Sequence, residues 1–328
     1  MKEKIISILK EHKNKFVSGE EISNLLGVSR TSIWKVLKQL KASGYNIESA
    51  PKKGYKLLDD KNIYSKEEIT LLLKSKGSNV EEVFYFDSIN STNEYAKEIG
   101  RNSNMENVLV ISDIQTDGKG RLGRKWLSSE SSGVWMSLLL KPNLNPTDAS
   151  KITQIASAAI VTAIEEFYNL NVGIKWPNDI IINGKKIAGV LTEMNSELGE
   201  INFIVVGIGI NVNTKSFPEE ISDIASSLFL ESGLEIDRKK IIEKVIYYFY
   251  KFYNEYIKNK EFNEVLDINK KKSVTLNRDV FIIRRNETFE AYAYDLNRDG
   301  ELMVRDKDGK ESVVFYGEVS IRGVAGYL

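Results

Sequence analysis

Gln115-Thr116-Asp117-Gly118-Lys119-Gly120-Arg121-Leu122-Gly123-Arg124-Lys125-Trp126 is the stretch whose reading separates the possible folds. Gly118, Gly120 and Gly123 satisfy the spacing G-x-G-x-x-G of a dinucleotide-binding turn. That turn needs an apolar helix opening inside the loop, so that a pyrophosphate rests on the helix N-terminus. Here Arg-Lys-Trp-Leu-Ser-Ser follows the third glycine, and no helical period begins before Asp148. The dinucleotide fold is rejected on that ground. A kinase loop lacks its downstream catalytic and metal-binding motifs, and there is no G-x-x-x-x-G-K-[ST]. What remains is four cations, Lys119, Arg121, Arg124 and Lys125, set among three glycines beside Trp126. Only 11 of the 46 basic residues are Arg, and two of them fall here. Arginine forks suit phosphate and carboxylate, and glycine lets the backbone close on a ligand. A solvated basic surface loop is the other reading of this segment alone.

Upstream, residues 83–86 read as a strand. Ser91-Thr92-Asn93-Glu94 caps a short helix containing Ala96 and Ile99, and a second apolar strand covers 108–112. Downstream, a buried strand at 134–140 precedes a long helix carrying Ile152, Ile155, Ala156, Ala159, Ile160, Ala163 and Phe167. Then comes Ile174-Lys175-Trp176-Pro177-Asn178-Asp179-Ile180-Ile181-Ile182, the hairpin turn Asn183-Gly184, and a return strand at 185–191. The hairpin sets Asn178 and Asp179 on one strand and Lys186 on its partner, several ångströms away. A carboxylate, an amide and a lysine on a rigid sheet can hold a metal–phosphate group and a substrate carboxylate; an ordinary cross-strand ion pair is the alternative. A further strand at 205–211 carries Gly207 and Gly209, which leave room for a flat ligand against the backbone.

The front of the chain has a different character. Ile5, Ile6, Ile8 and Leu9 mark one side of a first helix. Ser18-Gly19-Glu20-Glu21 is a capping box, Gly27-Val28 is a turn, and Ser29 caps a third helix with Ile33, Val36, Leu37 and Leu40 inside, closed by Ser43-Gly44. This is a helix-turn-helix. The third helix offers Arg30, Thr31, Ser32, Trp34, Lys35 and Lys38 on its other face. Two strands around Pro51-Lys52-Lys53-Gly54 read as a basic wing. Ser29, Arg30, Thr31, Ser32, Lys35, Lys52 and Lys53 are the candidate DNA-binding residues. Trp34 fits less well and has packing against the first helix as its alternative. A three-helix protein-interaction module with a solvated lysine face is the competing reading of the whole head.

From Lys270 onward short strands take over, at 274–276, 280–284, 289–295, 302–305, 313–315 and 319–322. Turns at Arg298-Asp299-Gly300 and Asp308-Gly309 separate the later ones, and together they predict a small β-barrel. Asp59-Asp60-Lys61-Asn62 reads as the linker after the head.

Composition narrows the chemistry. The 328 residues include no Cys and one His, so disulfides, thiolate zinc sites, thiol nucleophiles and Ser-His-Asp triads are excluded. The net charge of zero hides a split: residues 1–60 carry net +5 and the remainder net −5. No signal peptide or membrane span is legible, so a soluble, cytoplasmic protein is expected.

The order Ser91-Thr92-Asn93, Gly118-Lys-Gly-Arg-Leu-Gly-Arg-Lys-Trp126, Lys175-Trp-Pro-Asn-Asp179, Lys186-Ile-Ala-Gly189 and Gly207-Ile-Gly-Ile-Asn211 resembles the biotin protein ligases. With a winged helix in front, the chain resembles their bifunctional ligase and biotin operon repressor branch along essentially its whole length. The resemblance implies an α+β multidomain architecture. A winged helix-turn-helix occupies 1–62, a mixed α/β, SH2-like catalytic domain 63–270, and an SH3-like β-barrel 271–328. It implies that biotin is activated with ATP as biotinyl-5'-AMP and passed to a lysine of a biotin carboxyl carrier protein, of acetyl-CoA or pyruvate carboxylase. By matching position, Ser91, Thr92, Asn93 and Gln115 would meet the ureido end of biotin or line its pocket, with Gly189 and Gly207 in the same site. Gly118, Lys119, Gly120 and Arg121 would close over the ligand. Lys186 would hold the biotin carboxylate and the α-phosphate. Trp126 would stack on adenine near Asn178, Asn211 and Arg124, and Arg322 would reach the phosphates, a purely structural surface arginine being its alternative. Asp179 would serve Mg2+ or the acceptor lysine, and Arg121, Lys186 and Asp179 would be catalytic. The family pattern usually begins Gly-Arg-Gly-Arg; Lys119 keeps the charge and loses the fork, so weaker loop closure is expected. The implied partners are the carrier, operator DNA and a second copy, the homodimer forming when biotinyl-AMP is bound and pairing a sheet edge at 190–195 or 201–206. The rivals are a metabolite-sensing repressor without ligase activity and a lipoate-type ligase.

Overall fold

Ser18 Oγ accepts the Glu21 amide at 3.0 Å and opens α2 (Gly19–Leu26), which follows α1 (Lys2–Glu11) in the computed structural model. The structure describes residues 1–12, 15–42, 46–58, 64–168, 170–283, 288–315 and 320–323. Gly27 ends α2 with φ of +64°, where a side chain would be strained. Ser29 Oγ then accepts the Ser32 amide at 3.2 Å and caps α3 (Arg30–Ala42). Ile5, Leu9, Val17, Ile22, Ile33, Leu37 and Leu40 interlock as one core, each such side chain contributing about 1.5–3 kcal/mol by leaving water. β1 (Ile47–Ala50) and β2 (Gly54–Leu57) form the antiparallel wing, with Val17 bridging to Tyr55. The helix stop at Ser43-Gly44 and the linker at 59–62 lie outside the described residues.

The chain divides into two compact units, Met1–Ser65 and Lys66–Leu328. The second starts with α4 (Lys66–Ser75) and is built on a mixed sheet. Its strands are β3 (Glu82–Ile89), β4 (Val108–Gln115), β5 (Val134–Leu140), β6 (Gly173–Lys175), β7 (Asp179–Ile182), β8 (Lys185–Glu197) and β9 (Glu200–Ile210). Among the described residues their order is β3-β4-β5-β9-β8-β7-β6. β3 and β4 run parallel, with α5 (Thr92–Asn102) as the crossover between them; the other neighbours are antiparallel. The amphipathic α5 lays Ala96 and Ile99 on Val108, Val110, Leu139 and Val205. α6 (Ala149–Tyr168) packs against β8 and carries α8 (Arg238–Asn259) and α9 (Asn263–Lys271), with the short α7 (Leu228–Ser232) before them. Arg238 at the start of α8 is fully buried and is paid for locally: Nη1 donates to Gly133 O at 2.8 Å and lies 3.2 Å from Asp113 Oδ1. Burial nonetheless pushes the Asp113 carboxyl above its ordinary range, against the pull of that guanidinium.

One expected edge is an edge only in part. Of residues 201–206 in β9, Ile204, Val205 and Val206 pair with both β5 and β8 while 201–203 pair with β8 alone, and Phe203, Ile204, Val205 and Val206 are buried. Their apolar run fits a strand covered on both faces. The 190–195 stretch differs, because β7 is short and pairs with β8 only from Lys185 to Gly189. β8 therefore runs on past the end of β7.

The C-terminal strands are β10 (Arg278–Ile283), β11 (Thr288–Leu296), β12 (Leu302–Arg305), β13 (Glu311–Val314) and β14 (Ser320–Gly323). They form an antiparallel sheet in the order β13-β12-β11-β10-β14, open among the described residues. Residues 274–276, expected as a strand, are a bend, because Ser273 Oγ accepts the amides of Thr275 and Leu276 at 3.1 Å each. Arg284 and Val319, expected at strand ends, lie outside the described residues. The sheet's core of Val280, Ile282, Ala293, Leu302, Val304 and Val314 closes around Trp176.

Candidate active site

The pocket lies where α5, the glycine-rich loop and the β8–β9 hairpin meet. Ser91 caps α5 and leaves Thr92 and Asn93 at its buried start. Gln115, the last residue of β4, accepts from the Thr92 amide at 2.8 Å and from Thr92 Oγ1 at 3.0 Å through its Oε1. Ser137 on β5 donates to Asn93 Oδ1 at 2.6 Å, and Asn93 Nδ2 donates to Glu193 Oε2 at 2.7 Å. These buried polar groups are satisfied by one another, which fixes their orientation. Asn93 Oδ1 lies against the backbone of Gly207, where a Cβ would come within 2.2 Å of it.

The loop after β4 folds over this wall. Lys119 and Lys125 bridge, Gly120 N donates to Arg124 O at 2.7 Å, and Trp126 N to Gly118 O at 2.8 Å. Leu122 sits at the tip in the left-handed region, with φ of +56°. The loop's inward side chains are anchored. Arg121 Nη1 donates to Asn178 Oδ1 at 3.0 Å, and Asn178 Nδ2 donates to Val190 O at 2.9 Å. Lys119 Nζ lies on Glu94, whose carboxyl is held below its ordinary range by Lys119 first and Lys97 second. Lys97 also reaches Glu193 at 2.9 Å, so positive and negative charges alternate from the loop to β8. Its ammonium stays charged, and its pKa rises, because Glu94 and Glu193 outweigh the cost of burial.

Lys186 Nζ lies 2.6 Å from Asp179 Oδ1, a close ion pair without the alignment of a hydrogen bond, and 5.0 Å above the Trp126 ring. Trp126 itself rests edge-on to Trp135 and over Gly209, where a Cβ would meet its ring at 2.6 Å. Its indole Nε1 is buried without a hydrogen-bond partner among the described residues.

Ser91, Thr92, Asn93, Gln115, Lys119, Gly120, Arg121, Trp126, Asn178, Lys186, Gly189 and Gly207 thus line one pocket. Others stand outside its lining. Gly118 backs the loop against Ser128, Arg124 is exposed, and Asp179 stands behind Lys186. Asn211 is buried, donating to Ser226 O at 3.0 Å. Arg322 belongs to β14, but its side chain lies outside the description. The sequence reading passed over the apolar lining of Met136, Val190, Leu191 and Ile208, whereas Gly209 is the second backbone floor expected beside Gly207. It also passed over Glu94, Lys97 and Glu193, although Glu94 stands in the quoted Ser-Thr-Asn-Glu run. No group of three or more His, Cys, Asp or Glu that could cage a metal occurs among the described residues.

A helix-turn-helix head precedes a unit whose cationic pocket is floored by backbone. Residues 85–211 match the biotin/lipoate A/B protein ligase family, and residues 2–56 match an HTH domain. The bifunctional ligase/repressor BirA of Bacillus subtilis (strain 168) is 36% identical over 315 residues, covering 95% of this chain and 96% of that protein. The protein of the same name from Escherichia coli (strain K12) is 26% identical over 332 residues, covering 97% and 96%. Among solved structures, the biotin protein ligase from Aquifex aeolicus in complex with biotin and ATP matches with a TM-score of 0.65 at 29% identity. It covers 74% of this chain and 99% of that chain. The chain belongs to the bifunctional biotin ligase/repressor family, and it is a biotin–protein ligase and a repressor in one polypeptide.

Proposed function

We propose that the pocket activates biotin with ATP and hands it to a lysine of a biotin carboxyl carrier protein. The observation that carries this reading is the convergence of two cations, Lys186 and Arg121, on a pocket whose far wall is the polar set Ser91, Thr92, Asn93 and Gln115. The wall suits a ureido group, the apolar residues between suit a ring and chain, and the cations stand where a carboxylate and a phosphate would meet. A biotin carboxylate oxygen attacks the α-phosphorus, and the bond to pyrophosphate breaks. The carrier amine then attacks the acyl carbon of biotinyl-5'-AMP, and AMP leaves. Neither step needs a protein nucleophile, only alignment and positive charge where negative charge develops. This agrees with a chain that has no Cys and one His.

In this reading Lys186 exchanges Asp179 for the carboxylate and α-phosphate, and Arg121 exchanges Asn178 for the ligand. Gly118, Lys119 and Gly120 close the loop over it. Trp126 stacks on adenine, with its unpartnered Nε1 free to donate, and Arg124, Asn178, Asn211 and Arg322 belong to the nucleotide side. Gly189 and Gly207 form the floor. Asp179 supplies one carboxylate, which suits magnesium arriving on the triphosphate and not a resident ion. When bound, that ion would neutralise phosphate charge. We take 63–270 as the ligase proper and 271–328 as an SH3-like cap.

Ser29, Arg30, Thr31, Ser32, Lys35, Lys52 and Lys53 would hold operator DNA; six of the seven are exposed and Ser32 is half-buried beside its cap. A homodimer formed on biotinyl-AMP would pair the part of β8 that runs on past β7, at 190–195. No helix among the described residues is long and apolar enough to cross a membrane, in keeping with a cytoplasmic ligase. Incubation with labelled biotin, ATP, magnesium and a biotin carboxyl carrier domain of acetyl-CoA or pyruvate carboxylase tests the reading. Label is expected on one carrier lysine. Bound but untransferred biotin would mean a sensor, and transfer of lipoate in its place a lipoate-type ligase.

A further inference from the structure

Trp34 is 53% exposed on α3 and takes no part in the core of the head, which is completed by Ile33 beside it and Leu37 one turn on. Packing of the indole against α1 is therefore not what the structure shows. Its surroundings are cationic. Arg30 stands one turn earlier, Lys35 is adjacent, and Lys38 Nζ lies 5.5 Å from the centre of the indole. The first turn of α3 contains no acidic residue, and Thr31 is exposed beside it. A large flat apolar side chain held outward among Arg and Lys matches a polyanion that carries apolar groups at its centre. Duplex DNA has that layout: phosphates flank the major groove, and the thymine C5-methyl is its apolar landmark.

We propose that Trp34 reads an A·T pair by packing its indole on a thymine methyl, while Arg30, Lys35 and Lys38 hold the flanking phosphates. This makes Trp34 a specificity-determining residue, and it rests on the repressor reading of the head. Phosphate contacts carry affinity without sequence information, so the two roles separate by experiment.

The full-length protein, with biotin and ATP present, is used to select duplexes from a randomised library, and each thymine of the enriched duplex is then replaced by uracil. Uracil removes only the methyl. At one thymine per half-site, wild-type affinity should fall about fourfold, the worth of one buried methyl. Trp34→Ala should bind the selected duplex about tenfold more weakly, bind a scrambled duplex within about twofold of wild type, and be indifferent to that uracil. Trp34→Phe should keep part of the uracil effect. If no uracil weakens the wild type, or if Trp34→Ala loses selected and scrambled DNA equally, the proposal is overturned. Failure of the wild type to enrich any sequence removes the repressor reading itself, and the proposal with it.

Discussion

Lys119 Nζ and Glu94 Oε1 stand 2.6 Å apart, and the same oxygen receives Lys97 at 2.8 Å. The glycine-rich loop is thus tied to α5 by a lysine at the position where the family pattern usually places arginine. Single exposed ion pairs contribute only about 0.2–1 kcal/mol, so the effect of cutting this one is small and specific. Glu94→Gln and Lys119→Met should each speed release of labelled biotinyl-AMP up to about fivefold. The double variant should release it no faster than either single one. Fully additive losses in a chase experiment would show that the two side chains act separately.

The same carboxylate sets a pH dependence. Its pKa in the folded protein lies below the ordinary 4.5, through Lys119 and then Lys97. A lowered acid pKa contributes stability above the unfolded value and loses it as pH falls through the folded value. The urea midpoint of wild type should therefore exceed that of Glu94→Gln at pH 7, and the gap should close as the pH drops below 4.5. A gap that persisted in acid would assign the difference to packing.

Gly207 and Gly209 should respond differently to a single methyl. The Cβ of Gly207→Ala would lie 2.2 Å from Asn93 Oδ1, and Asn93 is held by Ser137 and Glu193 and has nowhere to go. A stability loss of about 1–3 kcal/mol is expected, with a larger rise in KM for biotin than for ATP. The Cβ of Gly209→Ala meets the ring of the half-buried Trp126 at 2.6 Å. That ring can swing outward, so the melting temperature should fall less and the KM for ATP should rise more. Equal changes in both Michaelis constants for both variants would contradict this division of the floor.

Gly300→Ala should damage ligation from outside the pocket. Its φ is +76°, and a Cβ there would lie 2.2 Å from Gln154. Gly300 O accepts from Gln154 Nε2 and from Trp176 Nε1, each at 3.0 Å. Strain and overpacking of about 1–3 kcal/mol each should lower the melting temperature. Because Asn178 follows Trp176 by two residues, kcat should drop as well. A lower melting temperature with unchanged kcat below the transition would confine the effect to stability.

Local chemistry was legible where one or two residues decide a conformation. Ser18, Gly27, Ser29, Ser91 and Asn183-Gly184 each mark the cap or turn found. The glycine-rich loop could be assigned because what it lacked, a following helix, was as visible as what it contained. Less was legible where meaning depends on a distant partner. Trp176 looked like part of a site motif, yet its ring is core for a sheet that begins 102 residues later, at Arg278. Asn211, one residue past β9, is fixed by donating to Ser226 O, a partner 15 residues on that the Gly-Ile-Gly-Ile-Asn run does not announce. The segment 228–269 carries no motif and received no assignment, although α7, α8 and α9 fill much of it and Ile241, Ile242, Val245, Ile246 and Phe249 of α8 recur at helical spacing. Glu94, Lys97 and Glu193 become a network only once β8 folds alongside α5.

The shared carbonyl of Gly300 also bears on how loss-of-function alleles of such a protein are interpreted. Trp176 and Gly300 are separated by 124 positions, yet they meet in one hydrogen bond. A genetic screen for failed biotin attachment would therefore collect alleles in the Arg298-Asp299-Gly300 turn beside those in the glycine-rich loop. On a linear map they would suggest a second substrate site, whereas in three dimensions they report on the hinge pin that holds Asn178 and Asp179 in place.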